Sequence, residues 1–159
     1  MGLIDRDALT ASTPRELLAT YESILVELRS RGIVRTNDAP LGQWAEWLAR
    51  RVLGGTLERN SRKGHDLITA DRRRVQVKAR LVRDVKRKSE RQLSVFRSFK
   101  FHACLVLLFD PKYEVRSATL LSPKAVRTNS RFHKHVNGWV LSATEDLLQR
   151  GTDLTKRFR

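Results

Sequence analysis

The chain has one cysteine, Cys104, and therefore no internal disulfide. A small oxidised scaffold held by covalent staples is excluded, and Cys104, inside Ala103-Cys104-Leu105-Val106-Leu107-Leu108-Phe109, reads as a small buried hydrophobe. No apolar run reaches the ~20 residues a membrane helix needs. The opening Met1-Gly2-Leu3-Ile4-Asp5-Arg6-Asp7 lacks the basic-then-apolar layout of a signal peptide. Neither a basic amphipathic helix nor a lipidation signal is present, which argues against a membrane-surface role. The protein is accordingly expected to be cytoplasmic. Repeats and low-complexity tracts are absent too.

Acidic residues are also scarce: 17 Asp and Glu stand against 32 Lys and Arg, a formal charge of +15. Such an excess attracts phosphate backbones and supplies salt-dependent affinity without sequence preference. A merely solvated surface is the plainer reading, but nucleic acid is the partner that this balance favours. No helix-turn-helix, zinc-finger or RRM signature supplies an obvious reader of sequence. With 40% hydrophobic and 31% charged residues over 159 positions, the chain reads as one folded domain able to bury a core.

Thr13-Pro14-Arg15-Glu16 opens a helix, with Thr13 and Glu16 as a capping box and Pro14 at the first helical position. Leu17, Leu18, Tyr21, Ile24, Leu25 and Leu28 recur along it at helical steps, as a core-packing face or a dimer surface. A second helix is expected with Asn37 or Asp38 as its cap, Pro40 near its start and Gly54-Gly55 at its end. Leu41, Trp44, Ala45, Leu48 and Val52 share its apolar stripe. Glu46 lies at the border of that stripe, where position allows either a surface residue or an acid looking toward a neighbouring strand.

Strands are expected at 56–59, 65–69, 73–82, 102–110 and 115–121, with the fourth apolar enough to be buried on both faces. The charge run 83–91 reads as a mobile loop. A short helix should begin at Ser122-Pro123, a strand should cover 132–141, and a last helix 143–150, followed by a frayed tail. The order predicts an α/β fold: a central mixed β-sheet flanked by α-helices and preceded by an N-terminal amphipathic helix. Residues 1–35 would form a helical extension, 36–150 the core and 151–159 a flexible basic tail.

The chemistry concentrates in Lys63-Gly64-His65-Asp66-Leu67-Ile68 and Val75-Gln76-Val77-Lys78-Ala79. A three-residue turn at 70–72 sets residue 67 opposite 75 and 66 opposite 76. Leu67, Val75 and Val77 then share the buried face, while Asp66, Gln76 and Lys78 share the other. A slip by one residue would place Asp66 among valines, so hydrophobic alternation selects the register that gathers the polar groups. Glu46 and Asp66 offer hard oxygens, and the Gln76 amide and the Val77 backbone carbonyl offer neutral ones, a set suited to Mg²⁺ or Mn²⁺. Lys78 is placed to hold a water nucleophile and to offset charge on a phosphorane. Read without that chemistry, Asp66 and Lys78 are a weak surface pair.

This pattern resembles the PD-(D/E)XK nuclease superfamily, the restriction-endonuclease-like fold. An acid on a first helix, an acid opening a hairpin, then acid-or-Gln, any residue and Lys on the next strand match Glu46, Asp66, Gln76 and Lys78. Gly64 precedes the acid as in many members, and the resemblance covers residues 41–110. Gln76 departs from the commoner acid, and His65 stands where many members have proline. The resemblance implies a metal-dependent DNA endonuclease acting on duplex DNA. Glu46, Asp66, Gln76 and Val77 would hold the metal, and a homodimer would let two sites cut two strands. The alternatives are a catalytically inactive DNA-binding protein on the same fold and an RNA-associated basic structural protein. Arg80, Lys86, Arg87, Lys88, Arg91, Arg97 and Lys100 are the expected nucleic-acid contacts. His65 reads as core or turn packing rather than a ligand. His133 and His135 lack the further ligands a zinc site requires. Phe96, Phe99 and Phe101 read as anchors for the linker or as stacking platforms for unpaired bases.

Overall fold

A computed structural model describes residues 5–36, 39–59 and 64–159. The expected caps Asn37 and Asp38, as well as Lys63, lie outside the described residues. Two helices come first, α1 (Arg6–Ala11) and α2 (Pro14–Ser30). The capping box holds: Glu16 N–H donates to Thr13 Oγ1 at 3.4 Å and Thr13 N–H to Glu16 Oε2 at 2.7 Å. Of the apolar series on α2, Leu25 is buried, while Leu17, Tyr21 and Ile24 are exposed, so the stripe is only partly core. Helix α3 (Leu41–Leu53) starts at Pro40 with no side-chain cap and ends at Gly54.

The chain then builds a six-stranded mixed sheet, ordered β1-β2-β3-β4-β5-β8. Its members are β1 (Thr56–Leu57), β2 (Leu67–Ile68), β3 (Arg74–Leu81), β4 (Ala103–Phe109), β5 (Val115–Leu121) and β8 (Thr152–Asp153). Only β3 and β4 run parallel; every other pairing is antiparallel. Gly55 makes the α3–β1 corner possible, since it has φ +96° and a Cβ there would sit 2.1 Å from the Ile68 carbonyl oxygen. The β2–β3 turn is closed by Arg72 in the left-handed region and by Thr69 N–H donating to the Arg73 carbonyl at 3.0 Å.

Both faces of the sheet are covered, which is why β4 is buried along its whole length. Leu105, Leu107 and Phe109 pack with Leu67, Val75 and Val77 against Ala45 and Ala49 of α3. Cys104, Val106 and Leu108 face the opposite layer, where Val126 of α4 (Pro123–Asn129) and Leu147 of α5 (Glu145–Gln149) lie. The β3–β4 crossover also packs there, burying Leu93, Phe96 and Phe101, with Phe99 half-buried. These phenylalanines sit within 6.4 Å of one another, centroid to centroid, as anchors. The charge run expected as a loop contains a 3₁₀ turn, Lys88–Arg91, and is tied by the Glu90 carboxylate, which accepts from the N–H groups of Arg83 and Asp84.

Three expectations are corrected. Residues 132–141 are not one strand: β6 (Arg131–His133) and β7 (Gly138–Val140) form a separate hairpin. Asn137, at φ 46°, supplies the left-handed residue that turns the chain there. Helix α5 is not the last element, because β8 and α6 (Thr155–Phe158) follow it. Nor is 151–159 a flexible tail. Strand β8 pairs with β5, Phe158 is buried against the α3 layer, and Arg157 donates to the Val52 carbonyl at 3.0 Å. A single well-placed aromatic outweighs the basic composition of that segment. Phe158→Ala should therefore cost ~3 kcal/mol, lowering the melting temperature by roughly 6–12 °C in a circular-dichroism melt; a loose end would leave it unchanged.

Candidate functional site

Leu67 pairs with Val75, so the register expected from alternation is the one present at the ladder's end. Beyond Leu67 the backbone of Asp66 is held on two sides. Its N–H donates to the Val75 carbonyl at 2.9 Å, and its carbonyl accepts from Glu58 N–H at 2.9 Å. The carboxylate then takes over from the missing strand. Asp66 Oδ2 accepts from Val77 N–H at 2.7 Å and from Gln76 Nε2 at 2.6 Å. Val77 shares the parity of Val75, so its N–H and C=O both project toward this open edge.

Glu46 reaches toward the same region from α3. Burial is the main reason its carboxyl holds a proton above the usual glutamate range, and the negative charge of Asp66 adds to this. Arg35 opposes both, through a 2.5 Å contact between its Nη2 and Glu46 Oε2, and also donates to the Glu58 carbonyl at 2.9 Å. Arg35 carried no sequence signal, being a lone basic residue between helices whose contacts are distant in the chain.

Lys78 is 8% exposed and Asp66 5%, so neither belongs to a solvated surface pair. Burial pulls the Lys78 ammonium below its ordinary range, and Asp66 acts in the opposite sense. Cys104, its other neighbour, has its thiol pushed up to about 12 by burial and so brings no charge to Lys78 at neutral pH. Two ammonium N–H groups are engaged by the crossover, at 3.0 Å to Ser94 Oγ and 3.0 Å to the Val95 carbonyl. The Phe96 ring lies 4.6 Å from Nζ, a cation–π contact strengthened by desolvation. Ser94 and Val95 were not among the expected site residues, since what marks them is a backbone path and not a residue type.

The structure thus gathers Asp66, Gln76 and Lys78 along one end of β3 with Glu46 nearby. The basic residues divide differently. Arg91 is committed to structure, donating to the Ala143 carbonyl at 3.2 Å and pairing with Glu145 at 2.9 Å. Arg97 Nη1 grips the carbonyls of Val136 and Asn137. Arg80 donates to the Glu90 carbonyl, whereas Lys86, Arg87, Lys88 and Lys100 are exposed near the crossover. His65 is buried 3.5 Å from Glu58, a packing role. His133 and His135 are exposed, and no group of three or more His, Cys, Asp or Glu able to hold a metal ion occurs among the described residues. Among those residues no helix is long and apolar enough to cross a membrane. No protein-family model matches the chain, and no curated protein matches it either.

Folding disfavours ionised Glu46, because burial lifts its folded pKa above the ordinary glutamate range. That cost is fully present above the folded pKa and absent at pH values well below the unfolded one. Glu46→Gln, which keeps an acceptor for Arg35, should melt a few °C higher than the parent near pH 7, the advantage fading toward pH 4. An advantage that grows on acidification would contradict this electrostatic account.

Proposed function

We propose that the protein is a metal-dependent DNA endonuclease of the PD-(D/E)XK type, with Glu46, Asp66, Gln76 and Lys78 as its working groups. The observation that carries the reading is the meeting of Asp66, Gln76 and Lys78 at one edge of β3, with the Glu46 carboxyl raised by burial and, secondarily, by the charge of Asp66. The donor set suits a small hard cation: two carboxylates, an amide and the Val77 carbonyl. The Asp66 charge and the half-buried Glu46 carboxyl disfavour one another, a repulsion that a divalent ion between them would relieve. When bound, Mg²⁺ or Mn²⁺ would polarise the scissile phosphate and acidify a water.

The chain's own groups account for the rest. Val77 N–H fixes the Asp66 carboxylate in place, so one of its oxygens is oriented before substrate arrives. Gln76 would present its carbonyl oxygen by a half-turn of its amide, exchanging the bond it now donates to Asp66. The Lys78 ammonium, steadied by Ser94, Val95 and the Phe96 ring, retains a third N–H for a non-bridging phosphate oxygen or for the attacking water. A net charge of +15 brings the substrate.

The same geometry favours a second reading, a DNA-binding module without turnover. Asp66 and Lys78 are deeply buried, and Gln76 replaces an acid with a donor already used inside the protein. Incubation of duplex DNA with the protein and Mg²⁺ or Mn²⁺ distinguishes the two. Cleavage is expected, abolished by EDTA and reduced at least ~10²-fold in Asp66→Asn and in Lys78→Met. Cleavage surviving both substitutions would remove the nuclease reading; salt-dependent, EDTA-insensitive binding with no product under any cation would install the second.

A further inference from the structure

The β6–β7 hairpin has no part in the site described above, yet it is built against it. Ser94 and Val95 receive the Lys78 ammonium, and the next residue, Phe96, exchanges backbone hydrogen bonds of 2.9 Å with Trp139 of β7 in both directions. Gly138 permits this approach, since a Cβ there would lie 2.0 Å from Val95 Cγ1. Strand β6 is therefore about two strand spacings, ~10 Å, from the segment that holds Lys78.

Residues 131–137 are all exposed, and Phe132, 52% exposed, is a large apolar group presented to solvent beside Arg131, His133, Lys134 and His135. Acidic residues are absent from 91–109 and from 115–144, the stretches that form the crossover, the hairpin and its base. The protrusion is nevertheless stiff. Phe132 packs edge-on to Trp139 at 5.6 Å, Trp139 to Phe99 at 5.4 Å, and Arg97 clamps the turn through the carbonyls of Val136 and Asn137. A rigid, cationic, solvent-facing hairpin with an aromatic on it is unexplained by packing alone.

We propose that the β6–β7 hairpin enters the major groove of B-form DNA next to the bond presented to Lys78 and is the element through which the protein contacts base edges. The inference deepens the nuclease reading and rests on it for the position of the scissile bond. The major groove of B-DNA, ~12 Å wide, admits a two-stranded ribbon, whereas the deep, narrow major groove of A-form RNA does not. A separation of ~10 Å corresponds to about three base pairs at 3.4 Å each. Arg131 has the fork that suits guanine O6 and N7, and Phe132 the apolar edge that suits a thymine methyl.

The test is fluorescence anisotropy with the full chain and a labelled duplex in EDTA, where binding is read without cleavage. Arg131→Ala/Lys134→Ala should weaken binding at least tenfold and lower the slope of log K against log salt by about 1, Lys134 meeting phosphate and Arg131 a base edge. Phe132→Ala should weaken binding with its slope unchanged. Lys112→Ala, which removes one charge in the β4–β5 turn, serves as the control and should change affinity less than twofold. Circular-dichroism melts establish that these surface variants fold. Hairpin variants that bind like the parent, or duplex RNA that competes equally with DNA, would overturn the proposal. Hairpin-dependent binding without cleavage under Mg²⁺ or Mn²⁺ would sink the nuclease reading and leave the groove contact standing. Cleavage with hairpin-independent binding would do the reverse, and a parent chain that ignores duplex DNA would end both.

Discussion

The carboxylate of Asp66, accepting from the Val77 backbone and the Gln76 amide, is the interaction on which the candidate site turns. Strand β2 stops at Leu67, and a β3 N–H beyond that point would face a void at a sheet edge. A buried backbone donor without a partner costs ~1–3 kcal/mol, and an aspartate satisfies it. The substitution of a side chain for a strand places a negative charge at a fixed position with its backbone pinned from both neighbours. The other features of the site respond to that carboxylate: it adds to the burial that raises the proton affinity of Glu46, supports the Lys78 ammonium and orients the Gln76 amide.

Holding a lysine at 8% exposure requires compensation. The crossover between β3 and β4 provides it without an α-helix, contrary to the usual way of joining parallel strands. Ser94 and Val95 supply oxygens, Phe96 supplies a ring face, and the phenylalanine cluster fixes the segment to the opposite layer of the core. Stability and site geometry are therefore coupled through one irregular segment. The β6–β7 hairpin leans on the same segment from its far side, which joins three parts of the molecule into one unit.

Much of this was legible from the chain. Alternation in 73–82 and the penalty for burying Asp66 fixed the β2–β3 register, and the Thr13-Pro14-Arg15-Glu16 signal fixed the start of α2. The Asn137-Gly138 pair was a turn signal inside a stretch read as continuous strand, and it marks where that stretch reverses. Elsewhere no local pattern existed to read. Residues 151–159 look basic and loose until Phe158 finds the pocket left by α3, a contact more than a hundred residues distant. Likewise, Arg91 and Arg97 resemble the exposed cations around them, and only the fold shows that they hold carbonyls and a carboxylate.

The sheet begins and ends with very short members: β1 and β8 contribute two residues each. Exposed edges of that length offer too few unpaired groups to recruit a strand from another molecule. Together with mutual repulsion at +15, this closes the route by which sheet proteins most readily polymerise.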